Sequence, residues 1–238
     1  MRLDQYLVKN GFVISRSKGV HLIKTGNVIV NGKIILKPSY EVKDHDKVRL
    51  LSRYRYVGRG GYKIERFLEN KLDCKEKKVL DIGCSVGGFS DYFLKQKASK
   101  VVAIDIAQDI IDKSLLRHRN LSFLGGVDVT NENLLKRCLE NEKFDIIAID
   151  VSKKSLKEIL PIISKFLKPN GFIVALFKPQ YEDGKGILQE EKINKLACNF
   201  ENWLNRDYLI LNKEFSHFRG GSKNKGCREV FYLLKLKR

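Results

Sequence analysis

The residues best suited to do chemistry lie in one stretch, Asp81-Ile82-Gly83-Cys84-Ser85-Val86-Gly87-Gly88-Phe89-Ser90, and at two isolated positions, Asp150 and Lys178. Glycines such as Gly83, Gly87 and Gly88 let a backbone turn sharply and approach a ligand with no side chain in the way. Their spacing is G-x-x-x-G-G, whereas a dinucleotide site prefers G-x-G-x-x-G, which seats a pyrophosphate on a helix N-terminus. An acid at Asp81 suits a ligand bearing an amino group and a sulfonium, and would repel a diphosphate. Asp105 ends the next apolar run, where folds of this kind place an acid to accept hydrogen bonds from ribose hydroxyls. Asp150 ends the run Ile146-Ile147-Ala148-Ile149, and Lys178 directly follows Phe172–Phe177. A charge in such a place is either a structural ion pair or a functional group.

These residues need a scaffold, and the apolar runs supply one. Lys78–Ile82, Val101–Ile104, Phe144–Ile149 and Gly171–Phe177 are rich in Val and Ile and nearly continuous, as strands buried on both faces should be. Helical stretches are predicted at Glu65–Asn70, Phe89–Lys97, Ala107–Leu116 and Leu156–Leu167, with Val230–Leu234 as a closing strand. The alternation predicts an α/β domain with a Rossmann-like, doubly wound parallel sheet. Asp150 and Lys178 then stand at the carboxyl ends of parallel strands, where open α/β sheets bind ligands. Asp128, within Gly125-Gly126-Val127-Asp128-Val129, falls where such folds contact adenine, or serves as a turn residue.

The chain has 238 residues, with 46 Lys and Arg against 28 Asp and Glu, a net charge of +18. An excess of this size favours an anionic partner, nucleic acid ahead of an anionic membrane surface. No run approaches the roughly 18 apolar residues of a membrane helix, and the start lacks a signal peptide's apolar core, so a cytoplasmic protein is expected. The five cysteines are scattered, with no C-x-x-C pair, which argues for free thiols over a disulfide framework or a zinc site. The first 62 residues hold 13 basic and 4 acidic residues, a net +9 and half of the total. They divide into a compact basic unit, 1–50, and a linker, 51–62, rich in glycine, arginine and tyrosine and including Arg59. The remaining domain is 63–238. In the first unit, Leu3, Tyr6 and Leu7 have helical spacing. Ser15 can cap a helix from Arg16 to Lys24 that Gly26 ends. Val28–Val30 and Lys33–Ile35 flank Asn31-Gly32, a two-residue hairpin turn, and Val42 and Val48–Leu50 offer further strand.

That first unit resembles the alpha-L RNA-binding domain of a ribosomal small-subunit protein, pseudouridine synthases and tyrosyl-tRNA synthetases. The resemblance rests on Arg2-Leu3-Asp4, Ser15-Arg16-Ser17-Lys18, Ile23-Lys24-Thr25-Gly26 and Val28-Ile29-Val30-Asn31-Gly32-Lys33. It implies a small α+β domain in which Arg16, Lys18, Lys24 and Lys33 meet RNA phosphates.

The glycine loop with Asp81 resembles the S-adenosylmethionine loop of class I methyltransferases. Taken with Arg59-Gly60-Gly61-Tyr62-Lys63, Asp150-Val151-Ser152, Phe177–Glu182 and Gly226-Cys227-Arg228-Glu229, the chain is similar along its whole length to TlyA-family ribosomal RNA methyltransferases, whose catalytic domain is FtsJ-like. The resemblance implies a Lys-Asp-Lys-Glu tetrad at Lys63, Asp150, Lys178 and Glu229. It also implies S-adenosylmethionine held by Asp81, Gly83, Ser85, Gly87, Gly88, Phe89, Asp105 and Asp128, and a ribose 2′-hydroxyl of ribosomal RNA as acceptor, in cytidine of the large subunit alone or of both. The tail, which ends nine residues beyond Glu229, resembles the large-subunit type.

In that chemistry Lys178, with its pKa lowered by desolvation and a second cation, takes the hydroxyl proton. Lys63 stabilises developing alkoxide, and the two carboxylates orient the lysines. No metal is required, and a monomer is expected. Three departures from the family pattern are present: Lys153-Lys154 after Asp-x-Ser where apolar residues are usual, Cys227 in place of Asn, and Asp105-Ile106-Ala107-Gln108 without the usual glycines. The basic loop 217–225 reads as an RNA-gripping segment or an ordinary surface loop. Two rival functions are a membrane-active haemolysin, a label attached to this family, and a non-catalytic RNA-binding assembly factor.

Overall fold

The computed structural model describes residues 1–13, 15–24, 26–50, 55–183, 187–218 and 226–237. The chain separates into two compact units, Met1–Arg55 and Tyr56–Arg238.

The first unit holds α1 (Leu3–Lys9), α2 (Arg16–Lys24), β1 (Val28–Val30), β2 (Lys33–Ile34) and β3 (Val48–Leu50). The strands form an antiparallel sheet in the order β2-β1-β3. Leu3, Leu7, Leu22, Ile23, Val28 and Val30 form its core. Asn31 and Gly32 both take positive φ, 51° and 82°, as the hairpin requires. Ser15 Oγ accepts from the Lys18 amide at 3.4 Å, at the start of α2. Asp4 is 1% exposed and accepts from both Arg2 and Arg16. Burial works against its charge, but the two guanidiniums hold the carboxyl below the usual range.

The second unit contains α3 (Arg59–Leu68), β4 (Lys78–Ile82), α4 (Gly88–Lys95), β5 (Lys100–Asp105), β6 (Leu121–Gly125), α5 (Glu132–Leu139), β7 (Phe144–Ile149), α6 (Leu156–Ile163), β8 (Leu167–Phe177), α7 (Pro179–Asp183), α8 (Glu190–Leu204), β9 (Tyr208–Phe215) and β10 (Val230–Leu236). One seven-stranded sheet runs β6-β5-β4-β7-β8-β10-β9. The first five strands are parallel, and β10 is antiparallel to both neighbours. Two apolar layers cover its faces: α5, α6 and α8 on one, α3 and α4 on the other.

Two expectations change. Residues 107–116 form no α-helix, only a short 3-10 turn at Leu115–Arg117. Acidic side chains there capture the backbone locally: Asp105 Oδ1 accepts from the Ala107 amide at 3.0 Å, and Asp112 Oδ1 from the Ser114 amide at 3.0 Å. The Gln108 backbone is also pressed against Gly125, where a Cβ would lie 2.3 Å from the Gln108 carbonyl oxygen.

The second change concerns the expected linker. Residues 51–54 lie outside the described residues, but 56–62 belong to the second unit. Tyr56 is 1% exposed, the Val57 amide donates to Asp91 Oδ2 at 2.8 Å, and α3 already begins at Arg59. Gly61 lacks a side chain for a packing reason, because a Cβ there would sit 2.3 Å from Tyr56 Cγ.

Candidate active site

Strand register explains why residues distant in sequence meet. β7 and β8 run parallel with Ile149 opposite Ala175, so Asp150 and Lys178 emerge from neighbouring strand ends. β10 returns antiparallel with Val230 opposite Phe177, which sets Glu229 beside Lys178. α3 brings Lys63 from the other direction. Its N-terminus crosses that of α4 so closely that a Cβ on Gly88 would lie 3.0 Å from the Gly61 nitrogen. One crossing therefore ties the glycine loop to the helix bearing Lys63.

All four residues line one cavity of about 380 Å³. Lys63 Nζ lies 2.5 Å from Glu229 Oε2, both nearly buried. Lys178 Nζ lies 2.5 Å from Asp150 Oδ1 and 3.5 Å from Ser152 Oγ. Burial pushes the Lys178 amine down, but the charge and hydrogen bond of Asp150 outweigh it, helped by Glu229, and its pKa stands above that of an ordinary lysine. This corrects the expectation of a lowered value. Lys178 stands as an ammonium ion-paired with Asp150.

The glycine loop forms the opposite wall. Gly83 has φ +75°, and a Cβ there would meet the Asp150 carbonyl oxygen at 2.8 Å. Ser85 also takes a left-handed conformation, φ 52°, and its amide donates to Asp105 Oδ2 at 2.8 Å. Gly88 and Phe89 line the cavity, whereas Gly87 turns the chain into α4 with φ 91°. Asp81 is fully buried. Ser90 Oγ donates to its Oδ2 at 2.6 Å, while Oδ1 has no hydrogen-bond partner among the described residues. Burial raises this carboxyl to about 7, with Asp150 and Asp105 adding to the rise against the Ser90 hydrogen bond. A buried oxygen without a donor costs about 1–3 kcal/mol, so the wall is shaped for a ligand that brings one. A cationic amino group at Asp81 fits.

Two of the expected cofactor residues lie outside this wall. Asp105 and Asp128 are not among the cavity-lining residues. Both oxygens of Asp105 accept from backbone amides. Asp128 Oδ1 accepts from the Thr130 hydroxyl and amide at 2.7 and 2.9 Å, and those bonds hold its carboxyl below the usual range. Arg59 lines the cavity. In the first unit Arg16, Lys24 and Lys33 are exposed and Lys18 is half-buried. Of the basic loop, 219–225 lie outside the described residues.

Sequence reasoning assigned no role to Ser152, Gln180 or Tyr181, which also line the cavity. Gln180 Oε1 is buried without a partner among the described residues. The unbroken run from Lys178 to Glu182 was the available signal. Cys227 is buried, and its sulfur accepts from the Leu188 amide at 3.1 Å, anchoring the segment that carries Glu229. Lys153 and Lys154 are exposed, Lys153 with φ 66°.

A sheet in this order, parallel except for the reversed β10, with a glycine loop after β4 and charged pairs at the neighbouring strand ends, defines a class I methyltransferase. A family model for FtsJ-like methyltransferases matches residues 56–232, and one for the S4 domain matches residues 1–48. The chain is 32% identical to Hemolysin A of Brachyspira hyodysenteriae, across 94% of this chain and 96% of that protein. It is 33% identical to the 23S rRNA (cytidine-2′-O)-methyltransferase TlyA of Campylobacter jejuni, across 98% of each. A solved structure carrying a hemolysin name, from Streptococcus thermophilus, superposes with a TM-score of 0.72 at 27% identity, covering 100% of this chain and 88% of that one. The chain belongs to the FtsJ-like methyltransferase family, in the branch that carries an N-terminal S4 domain and includes the proteins named TlyA.

Proposed function

We propose that the protein transfers a methyl group from S-adenosylmethionine to the 2′-hydroxyl of a cytidine ribose in ribosomal RNA, with the large subunit as its substrate and the cytoplasm as its place of action. The observation that carries this reading is the convergence of Lys63, Asp150, Lys178 and Glu229 on one cavity beside the glycine loop. The test is incubation of the protein with labelled donor and each undermethylated ribosomal subunit, followed by mass spectrometry of the RNA. Label in a base, or in protein alone, would sink the proposal.

S-adenosylmethionine supplies an electrophilic methyl on a good leaving group, so the protein's task is orientation and proton removal. Asp81 would hold the donor's amino group, and Gly83 and Ser85 would leave room for the rest of it along the cavity wall. Lys63, fixed by Glu229, steadies the ribose oxygen. As substrate enters and drives out water, desolvation adds to the downward push of burial, and Lys178 gives its ammonium proton to the departing solvent; the neutral amine then accepts the hydroxyl proton. Asp150 holds Lys178 in place until then. Among the described residues no helix is long and apolar enough to cross a membrane, and no observation favours the haemolysin reading over this one.

Two further outcomes are expected. Donor affinity should rise as pH passes about 7, where Asp81 ionises, and fall again near pH 8 as the donor's α-amino group loses its proton, by its ordinary pKa of about 7.7–8.0. Calorimetric titration across pH checks this, and Asp81→Asn should abolish the rising limb. Removing the S4 domain should weaken RNA binding and flatten its dependence on salt, because each lost phosphate contact lowers the log–log slope by about 0.7–0.9.

A further inference from the structure

The wall of the active cavity continues, through Lys63, into a shallow surface depression of about 10 Å³ that offers faces and edges, not an enclosed pocket; Tyr62, Arg66, Phe215, His217 and Phe218 line it, together with Glu214, whose carboxylate is ion-paired with Lys71 at 2.7 Å. Beneath it Phe67 stacks on Phe231 with centroids 4.7 Å apart. The groove is held rigidly. Tyr62 meets Tyr56 edge-on at 5.1 Å, and the Arg228 guanidinium lies 4.1 Å over the Phe215 ring. The Phe218 amide donates to Ser216 Oγ at 3.3 Å, and the Ser216 amide donates to the Glu229 carbonyl oxygen at 2.8 Å. The aromatic residues are thus fastened to the segment that carries Glu229. Arg66 is exposed and forms no ion pair among the described residues. Methyl transfer uses none of these five side chains.

Half-buried rings beside a free guanidinium suit a single-stranded nucleic acid. Rings stack on any base, and a cation meets phosphate. A strand whose target ribose reaches Lys63 must leave its own stack, and its neighbouring base then needs a new surface. We propose that this groove seats the nucleotide next to the methylated one, with its base on Tyr62 and Phe218 and its phosphate at Arg66. The proposal rests on the RNA-methylation reading above. Charge complementarity with a chain of net +18 favours RNA over a peptide.

Arg66→Ala and Phe218→Ala test it in the full-length protein. The readouts are steady-state methylation of undermethylated large subunits and binding of a short fluorescent single-stranded oligoribonucleotide. Each variant should raise the RNA KM and weaken oligonucleotide binding about five- to tenfold, with kcat and donor affinity within about twofold of wild type. Arg66→Ala should also lower the salt slope by about 0.7, as one lost phosphate on a single strand requires, whereas Phe218→Ala should leave it unchanged. Phe218→Trp should restore affinity, a rescue that general destabilisation would not give. Unchanged KM and oligonucleotide affinity in both variants would overturn the groove, as would a preference for an acidic peptide over the oligonucleotide. If wild type transfers no methyl to subunits, the functional reading fails, and the oligonucleotide measurement still decides on the groove.

Discussion

Lys178→Ala is expected to slow methyl transfer by about 10²–10⁴-fold, the range a positioned proton acceptor supplies, while donor binding persists. The pH dependence distinguishes a proton acceptor from a simple structural cation. In the free protein Asp150 holds the Lys178 pKa above that of an ordinary lysine, so kcat/KM for RNA, measured at saturating donor, should climb with pH throughout the neutral and mildly alkaline range. In the loaded complex desolvation lowers that pKa, so the kcat profile should level off at lower pH than kcat/KM. Both slopes should vanish in Lys178→Ala. Single-turnover rates across pH measure this, and a variant with near-normal turnover would end the assignment.

The second large effect belongs to Glu229. Glu229→Ala leaves the Lys63 ammonium without its 2.5 Å partner in a site where that lysine side chain is 8% exposed. Removing one member of a buried pair costs about 3–5 kcal/mol, because the survivor remains desolvated and uncompensated. Denaturant unfolding should show a loss of that order, and methyl transfer should fall with it. The paired change Lys63→Met with Glu229→Leu separates the two consequences. It removes both charges, so most of the stability should return, whereas activity should not. Recovery of activity in the double variant would show that the pair only braces the fold.

The sequence made the centre of the sheet readable and its periphery much less so. β4, β5, β7, β8 and β10 are runs of Val, Ile, Leu and Phe buried on both faces, and such runs leave little alternative. β9 escaped because, after the buried Tyr208, the strand to Phe215 mostly alternates exposed and half-buried residues at the sheet edge, a weaker pattern. α8 carried a usable signal in Ile193, Ala197, Phe200 and Leu204, spaced for one helical face. Residues 107–116 misled in the other direction. Ile110, Ile111, Leu115 and Leu116 suggest a helix, but the acids at 105 and 112 and the packing of Gln108 on Gly125 decide otherwise. Within the site, residues on strand ends could be placed from strand order alone. The Lys178 pKa could not, since it depends on the 2.5 Å approach of Asp150, which no pattern of residue types reveals. Nor could the start of α3, where three glycines imitate a linker and instead permit a helix crossing.

The charged side chains lining the cavity are Arg59, Lys63 and Lys178 on one side of the ledger and Asp81, Asp150 and Glu229 on the other. With all six ionised they cancel, although the chain as a whole carries +18. The reacting centre therefore exerts almost no long-range attraction on a polyanion, and capture is the work of the rest of the molecular surface. Ionic strength should govern how often ribosomal particles are captured and leave the chemical event, once the sugar is seated, nearly untouched. Such a partition lets the capture surface diverge from one organism's ribosome to another's without disturbing the neutral chamber in which the bond is made.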